Sequence, residues 1–196
     1  MAALSLVMTM RVRATQKRSS SSGWVDQLTA SAHLLRNNRT VLGAVLLTAS
    51  FNFFGWPYVQ MVPVIARDIL GASEVEYGLL LSALGLGALV GAVSIASIQP
   101  TAKGNVYSLG SALLMVAAIA YAWTPWYPLA LLWMFTAGVG LSGFAGMQSV
   151  IPLEAVPAEQ RGRAMGAIVL GIGAQAPGMF VMGLIGEIVG PRESIT

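Results

Sequence analysis

Twenty-seven consecutive residues, Thr40 to Ala66 (TVLGAVLLTASFNFFGWPYVQMVPVIA), carry no charge. At 1.5 Å of rise per residue a helix of that length outruns the ~20 residues needed to cross the ~30 Å hydrocarbon core of a bilayer. A soluble domain has little use for so long an apolar helix, so the run predicts a transmembrane span. Its polar residues recur every fourth position, at Thr48, Asn52, Trp56 and Gln60, which places them on one helix face. An amide at the depth of Asn52 needs a partner or a wet cavity. Two readings stand side by side. The ladder is the wall of a pathway, or Thr48 bonds back to its own helix and Asn52 bonds a neighbour, as polar side chains in membrane bundles do.

Charged residues make up 10% of the chain and hydrophobic ones 56%, with a mean hydropathy of +0.71. Soluble domains carry about 25% charged residues, and one span alone would not move the averages so far. The expectation is therefore an integral membrane protein. The basic pI of about 9.6 comes from a few Lys and Arg in loops and does not call for nucleic acid. With no cysteine and a single histidine, His33, the chain offers neither a disulfide framework nor a local thiolate or His-pair metal site. No metal, cofactor or catalytic residue is expected. No His–acid pair and no Ser with a basic partner at matching depth suggests an enzyme.

In chain order, residues 1–12 (MAALSLVMTM and Arg11) resemble the end of a helix that starts upstream, because their charges follow the apolar run, whereas those of a signal peptide precede it. Residues 13–39 form a cytoplasmic linker, with a Ser-rich joint at 19–23 and then a short amphipathic helix, Trp24 to Asn38. That helix lies on the membrane surface or is an ordinary linker helix. The remainder, 40–196, is a five-helix transmembrane bundle with spans at about 40–66, 77–98, 105–123, 128–150 and 164–189. Placing the N-terminal segment and the Arg161 loop in the cytoplasm puts nine Lys and Arg inside and leaves only Arg67 and Arg192 outside. That asymmetry sets the orientation.

Gly138-Val-Gly140-Leu-Ser-Gly143 has the letters of a dinucleotide fingerprint, but that motif needs a strand before it and an exposed helix start after it. Midway through an apolar run these glycines, with Ser142 and Gly146, predict a small-residue face for close helix packing, as do Gly87 and Gly91. Gln175 falls near mid-membrane, two residues before Pro177, which removes a ladder bond and kinks the helix. It is a substrate contact or bending point, or it bonds an adjacent helix. The loop before the last span reads as a helix start, with Pro157 near its first position and Glu159 in its first turn, its basic residues anchoring orientation; a functional reading adds a pair between Glu154 and Arg161 or Arg163 across the mouth of the bundle.

The most specific stretch is that loop, Pro157-Ala-Glu-Gln-Arg161-Gly162-Arg163-Ala-Met-Gly166. It resembles the P-x-x-x-R-G-R-x-x-G loop between helices ten and eleven of the major facilitator superfamily. Gly171-x-Gly173…Pro177-Gly178…Gly183…Gly190 is similar to the eleventh helix of that superfamily. Pro63-Val-Ile-Ala-Arg67-Asp68-Ile-Leu-Gly71, with Gly78-Leu-Leu-Leu-Ser82 and Gly85-Leu-Gly87-Ala-Leu-Val-Gly91, resembles helices seven and eight of the branch containing the enterobactin exporter and related drug efflux carriers. The resemblance implies an all-α membrane protein holding about five helices of a major-facilitator-type bundle, with the first half and the last helix missing. It implies part of a secondary transporter in a bacterial inner membrane, exporting amphiphilic small molecules of drug or siderophore type by alternating access, as a proton antiporter. The partners implied are substrate, a coupling proton, the lipid bilayer and the missing amino-terminal six-helix half. Helices seven, eight, ten and eleven would line the cavity, which makes Asn52, Trp56, Gln60 and Gln175 its candidates and Glu154, Arg161 and Arg163 a conformational latch. The loop from Gln99 to Asn105 departs from the family in keeping only Lys103 of the usual basic cluster. The rival expectation is a non-transporting membrane binding or assembly module, or an inactive fragment that needs a partner half.

Overall fold

The structure is a computed structural model that describes residues 33–98 and 100–189, apart from the side chains at 58, 60, 182 and 185–189. The expectations for residues 1–12, and most of the linker helix, lie outside that range. The described residues form helices and short turns, with no strand among them. In order they are α1 (Arg39–Phe54), α2 (Trp56–Val64), a π-helical turn (Ile65–Ile69), α3 (Glu74–Ile98), α4 (Lys103–Ala122), α5 (Tyr127–Glu154), a 3-10 turn (Ala158–Gln160), α6 (Arg161–Gly173) and α7 (Gln175–Val189). Among them, four stretches are long and apolar enough to cross a membrane: Glu74–Ile98, Lys103–Ala122, Tyr127–Glu154 and Ala158–Val181.

The uncharged row is not one unbroken helix. It breaks at Gly55 into α1, of 16 residues, and α2, of 9. Pro57 is the cause: it has no N–H to give the Phe53 carbonyl, and its ring crowds the preceding turn. The last long stretch breaks in the same way at Ala174, because Pro177 withholds a donor from the Gly173 carbonyl. There the Ala174 N–H reaches Gly171 at 3.2 Å, tightening the turn, and the Gly178 N–H picks up the ladder again on Ala174 at 3.1 Å.

Local signals set the other ends. Asn38 caps α1, its Oδ1 accepting from the Thr40 and Val41 amides at 3.1 Å. The π-turn stops at Gly71, which takes the left-handed φ of 61° while the Ala72 N–H returns to the Ala66 carbonyl. Ser73 and Glu76 then form a capping box that starts α3, with Ser73 N and Oγ each 2.8 Å from Glu76 Oε2.

Helices in lipid gain nothing from hiding apolar surface, so close van der Waals packing has to hold them together. Here α5 is the spine. A Cβ on Gly138 would lie 2.0 Å from the Leu84 carbonyl of α3, and one on Gly87 2.0 Å from the Phe135 carbonyl. On the other side of α5, a Cβ on Gly140 or Gly143 would press to within 2.7 or 3.0 Å of a backbone carbonyl of α4. The fingerprint-like glycines are thus packing residues, as expected, but they serve two faces rather than one. Gly146 has nothing within 4 Å and takes no part. The core falls into two clusters. One, around Val41, Phe51, Phe144 and Ile168, lies towards the Arg161 end; the other, around Ile65, Leu80, Tyr121 and Met134, lies towards the opposite end.

Candidate functional site

The two proline breaks meet. A Cβ on Gly178 of α7 would lie 2.2 Å from the Phe53 carbonyl oxygen, so only glycine lets the chain come this close to the carbonyl that Pro57 leaves without its helical donor. Two turns back, Gly171 of α6 lies against Val45 and Thr48. Asn52 and Trp56 flank the break on one chain, and Gln175 precedes Gly178 on the other. Discontinuous helices with freed carbonyls beside side-chain amides are the arrangement by which membrane carriers hold a substrate at mid-depth.

The polar ladder divides at this point. Thr48 is wholly buried and Asn52 is 4% exposed, so neither opens to lipid or to a wet cavity. The Thr48 hydroxyl donates to the Ala44 carbonyl at 2.7 Å, which leaves the Tyr107 hydroxyl of α4, also 2.7 Å away, to donate to it. Asn52 Nδ2 donates to the Thr48 carbonyl at 2.8 Å. The closely packed aromatics Phe51, Phe144 and Tyr107 and the tight α1–α6 contact enclose that part of the face, so Asn52, expected to face the cavity, is buried within this bundle. Trp56, beyond the break, is partly exposed and lines an apolar cavity. Gln60 lies in α2, and its side chain is outside the described residues. Gln175 is partly exposed, its amide 3.7 Å from the sulfur of Met179.

At the end where α4 starts and α5 stops, Glu154 meets a different partner from those expected. Its Oε2 accepts from Lys103 Nζ at 2.7 Å. Arg161 and Arg163 are both exposed, and Arg163 borders a small cleft with His33 and Asn37. Geometry explains the exchange. Helix α5 continues to Glu154, one turn past the expected Val150, and carries the carboxylate to the start of α4. Pro157 and the 3-10 turn then swing the arginines round to open α6. Asn38 ties the linker to the same corner by donating to the Ala155 carbonyl at 2.9 Å. The ion pair borders an open crevice of about 950 Å³ that Thr40, Thr101 and Gly104 also line. No group of three or more potential metal-ligating side chains occurs among the described residues.

A family model described as the Major Facilitator Superfamily matches residues 1–180. The chain belongs to the major facilitator superfamily. No curated protein and no solved structure matches it.

For a superfamily member the geometry has a plain meaning. It is a multi-pass membrane transporter protein whose family moves small molecules, and its helices are built for close packing about α5. The contacts of three side chains escaped the sequence reading. Tyr107 looked like one aromatic among many in an apolar run, and nothing local shows that it reaches Thr48. Lys103 was visible as a remnant of a basic cluster, but its partner lies 51 residues away. Asn38 did carry a signal, an Asn immediately before an apolar helix.

Proposed function

We propose that this superfamily chain is the carboxy-terminal portion of a secondary active exporter of amphiphilic small molecules, of drug or siderophore type, working by alternating access. The observation that carries the reading is the absence of charge from the middle of its walls, Glu187 standing near the far end of the last span. Thr40–Ala66, Tyr77–Ile98, Gly104–Leu153 and Ala164–Gly186 hold no Asp, Glu, Lys, Arg or His. A wall without fixed charge suits a substrate that is mostly apolar; a carboxylate or phosphate would need a paired cation there. The resemblance to the branch of the enterobactin exporter and drug efflux carriers points the same way. In this reading the coupling is to protons, the coupling acid belongs to the amino-terminal six-helix half, and the membrane is a bacterial inner membrane with the Arg161 loop in the cytoplasm.

Trp56 and Gln175 contact substrate at the junction of the breaks, and Gln60, one turn beyond Trp56, continues their wall. Asn52 holds the junction from inside the bundle. Glu154 with Lys103, together with Arg161 and Arg163 at the start of α6, form the cytoplasmic latch.

The test is co-expression with a six-helix amino-terminal half, followed by transport of a fluorescent amphiphile in everted vesicles under an imposed proton gradient. Gradient-driven uptake that Gln175→Leu lowers, with a zwitterionic amino acid not carried, is the expected result. Co-purification of the halves without transport would instead favour a non-transporting assembly module.

A further inference from the structure

A cavity of about 160 Å³ lies inside the bundle, beyond the buried Thr48 and Asn52. Phe51, Gly55 and Trp56 form one wall of it; Tyr77 and Leu84 of α3, Met115 of α4 and residues of α5 complete it. Among the described residues, Trp56 and Tyr77 are the only lining side chains with a nitrogen or oxygen atom. Gly55 brings no side chain to this wall, and a Cβ there would meet Phe51 at 2.9 Å and the flexible end of Met115 at 3.1 Å.

Close-packed interiors hold few voids larger than a water molecule. Water is a poor occupant here, since it needs two to four polar partners, whereas a dry apolar cavity of about 150 Å³ takes up a benzene-sized solute. A ring in this space would regain the dispersion contacts that the lining atoms lack. A whole lipid acyl chain is several times too large. Two residues of the lining, Val59 and Leu81, are also 44% and 43% exposed, which marks a way in from the bilayer.

We infer that the chain carries, within this single bundle, a binding site for one uncharged aromatic or cyclic aliphatic ring, such as the apolar end of an amphiphile, entering past Val59 and Leu81. The site needs no second bundle and no alternation, so it stands or falls apart from the transport reading.

The test is photolabelling of the full chain in phosphatidylcholine nanodiscs with 3-trifluoromethyl-3-phenyldiazirine, mapped by mass spectrometry. Label should concentrate on Trp56, Tyr77 and Met115, and excess p-xylene should displace it there while label on the exposed Leu86, Leu89 and Val93 stays. Ala118→Leu, which fills the cavity from α4, should lower the site label about tenfold, because the added bulk leaves no room for the ring. Uniform labelling that p-xylene does not displace would overturn the inference, whether or not the variant folds. So would equal labelling of these residues by a phospholipid with a diazirine in its acyl chain.

Discussion

A single methyl group probes how α3 and α5 are joined. At Gly138 even a Cβ would lie 2.0 Å from the Leu84 backbone carbonyl, and a carbonyl held in a helix cannot give way, so the helices must part. Gly138→Ala should cost about 1–3 kcal/mol, the usual penalty of overpacking. Gly146→Ala, where nothing lies within 4 Å, should stay within about 0.5 kcal/mol of the parent. Unfolding in mixed micelles, followed by circular dichroism, measures both. Tyr107→Phe removes the hydroxyl that reaches Thr48 and should lower stability by about 0.6–1.7 kcal/mol, the range of hydrogen bonds within membrane bundles. The packing role of Gly138, Gly140 and Gly143 was legible because they sit midway through an apolar run. Their division between two neighbours was not, since helical period fixes a face but not what lies opposite it. The ladder carried the same ambiguity: four-residue spacing aligned Thr48 with Asn52, and only tertiary packing turned them inward.

At the scale of elements, the two interrupted helices are the joint of the bundle. Pro177→Ala restores the donor to the Gly173 carbonyl and should straighten α6 into α7, drawing Gly178 away from Phe53. Spin labels at Arg161 and Gly183 should then move apart, and an unchanged distance would mean that Pro177 does not set the bend. The ion pair between the start of α4 and the end of α5 makes a separate prediction. Lys103 and Glu154 are 37% and 57% exposed, so breaking the pair should change stability by less than about 1 kcal/mol. In the co-expressed transporter, Lys103→Glu should shift the balance of inward and outward states, and adding Glu154→Lys should restore it. The break at Ala174 was legible from Pro177 in an otherwise helical run. The one at Gly55 had the same signal in Pro57, but the continuity of uncharged residues around it hid the break. The Lys103–Glu154 pairing was not legible, because it depends on where α5 ends.

At the scale of the whole molecule, composition was enough for the membrane class and the helical fold, because 10% charged residues leave no other solution for segments of this length. The deployment of charge goes further. In the proposed orientation, nine Lys and Arg against two, divided by the spans, would put the Arg161 loop in the cytoplasm and the turn at Gly71 outside. The proposed latch and the direction of every span depend on that placement, and the chain, having no cysteine of its own, is suited to testing it. Single cysteines at Val75 and Glu159, both exposed, can be challenged in intact cells with a membrane-impermeant maleimide. A bundle oriented as described predicts labelling of Val75→Cys in intact cells and of Glu159→Cys only after the membrane is opened. Labelling of Glu159→Cys from outside, or of both positions without permeabilisation, would contradict it.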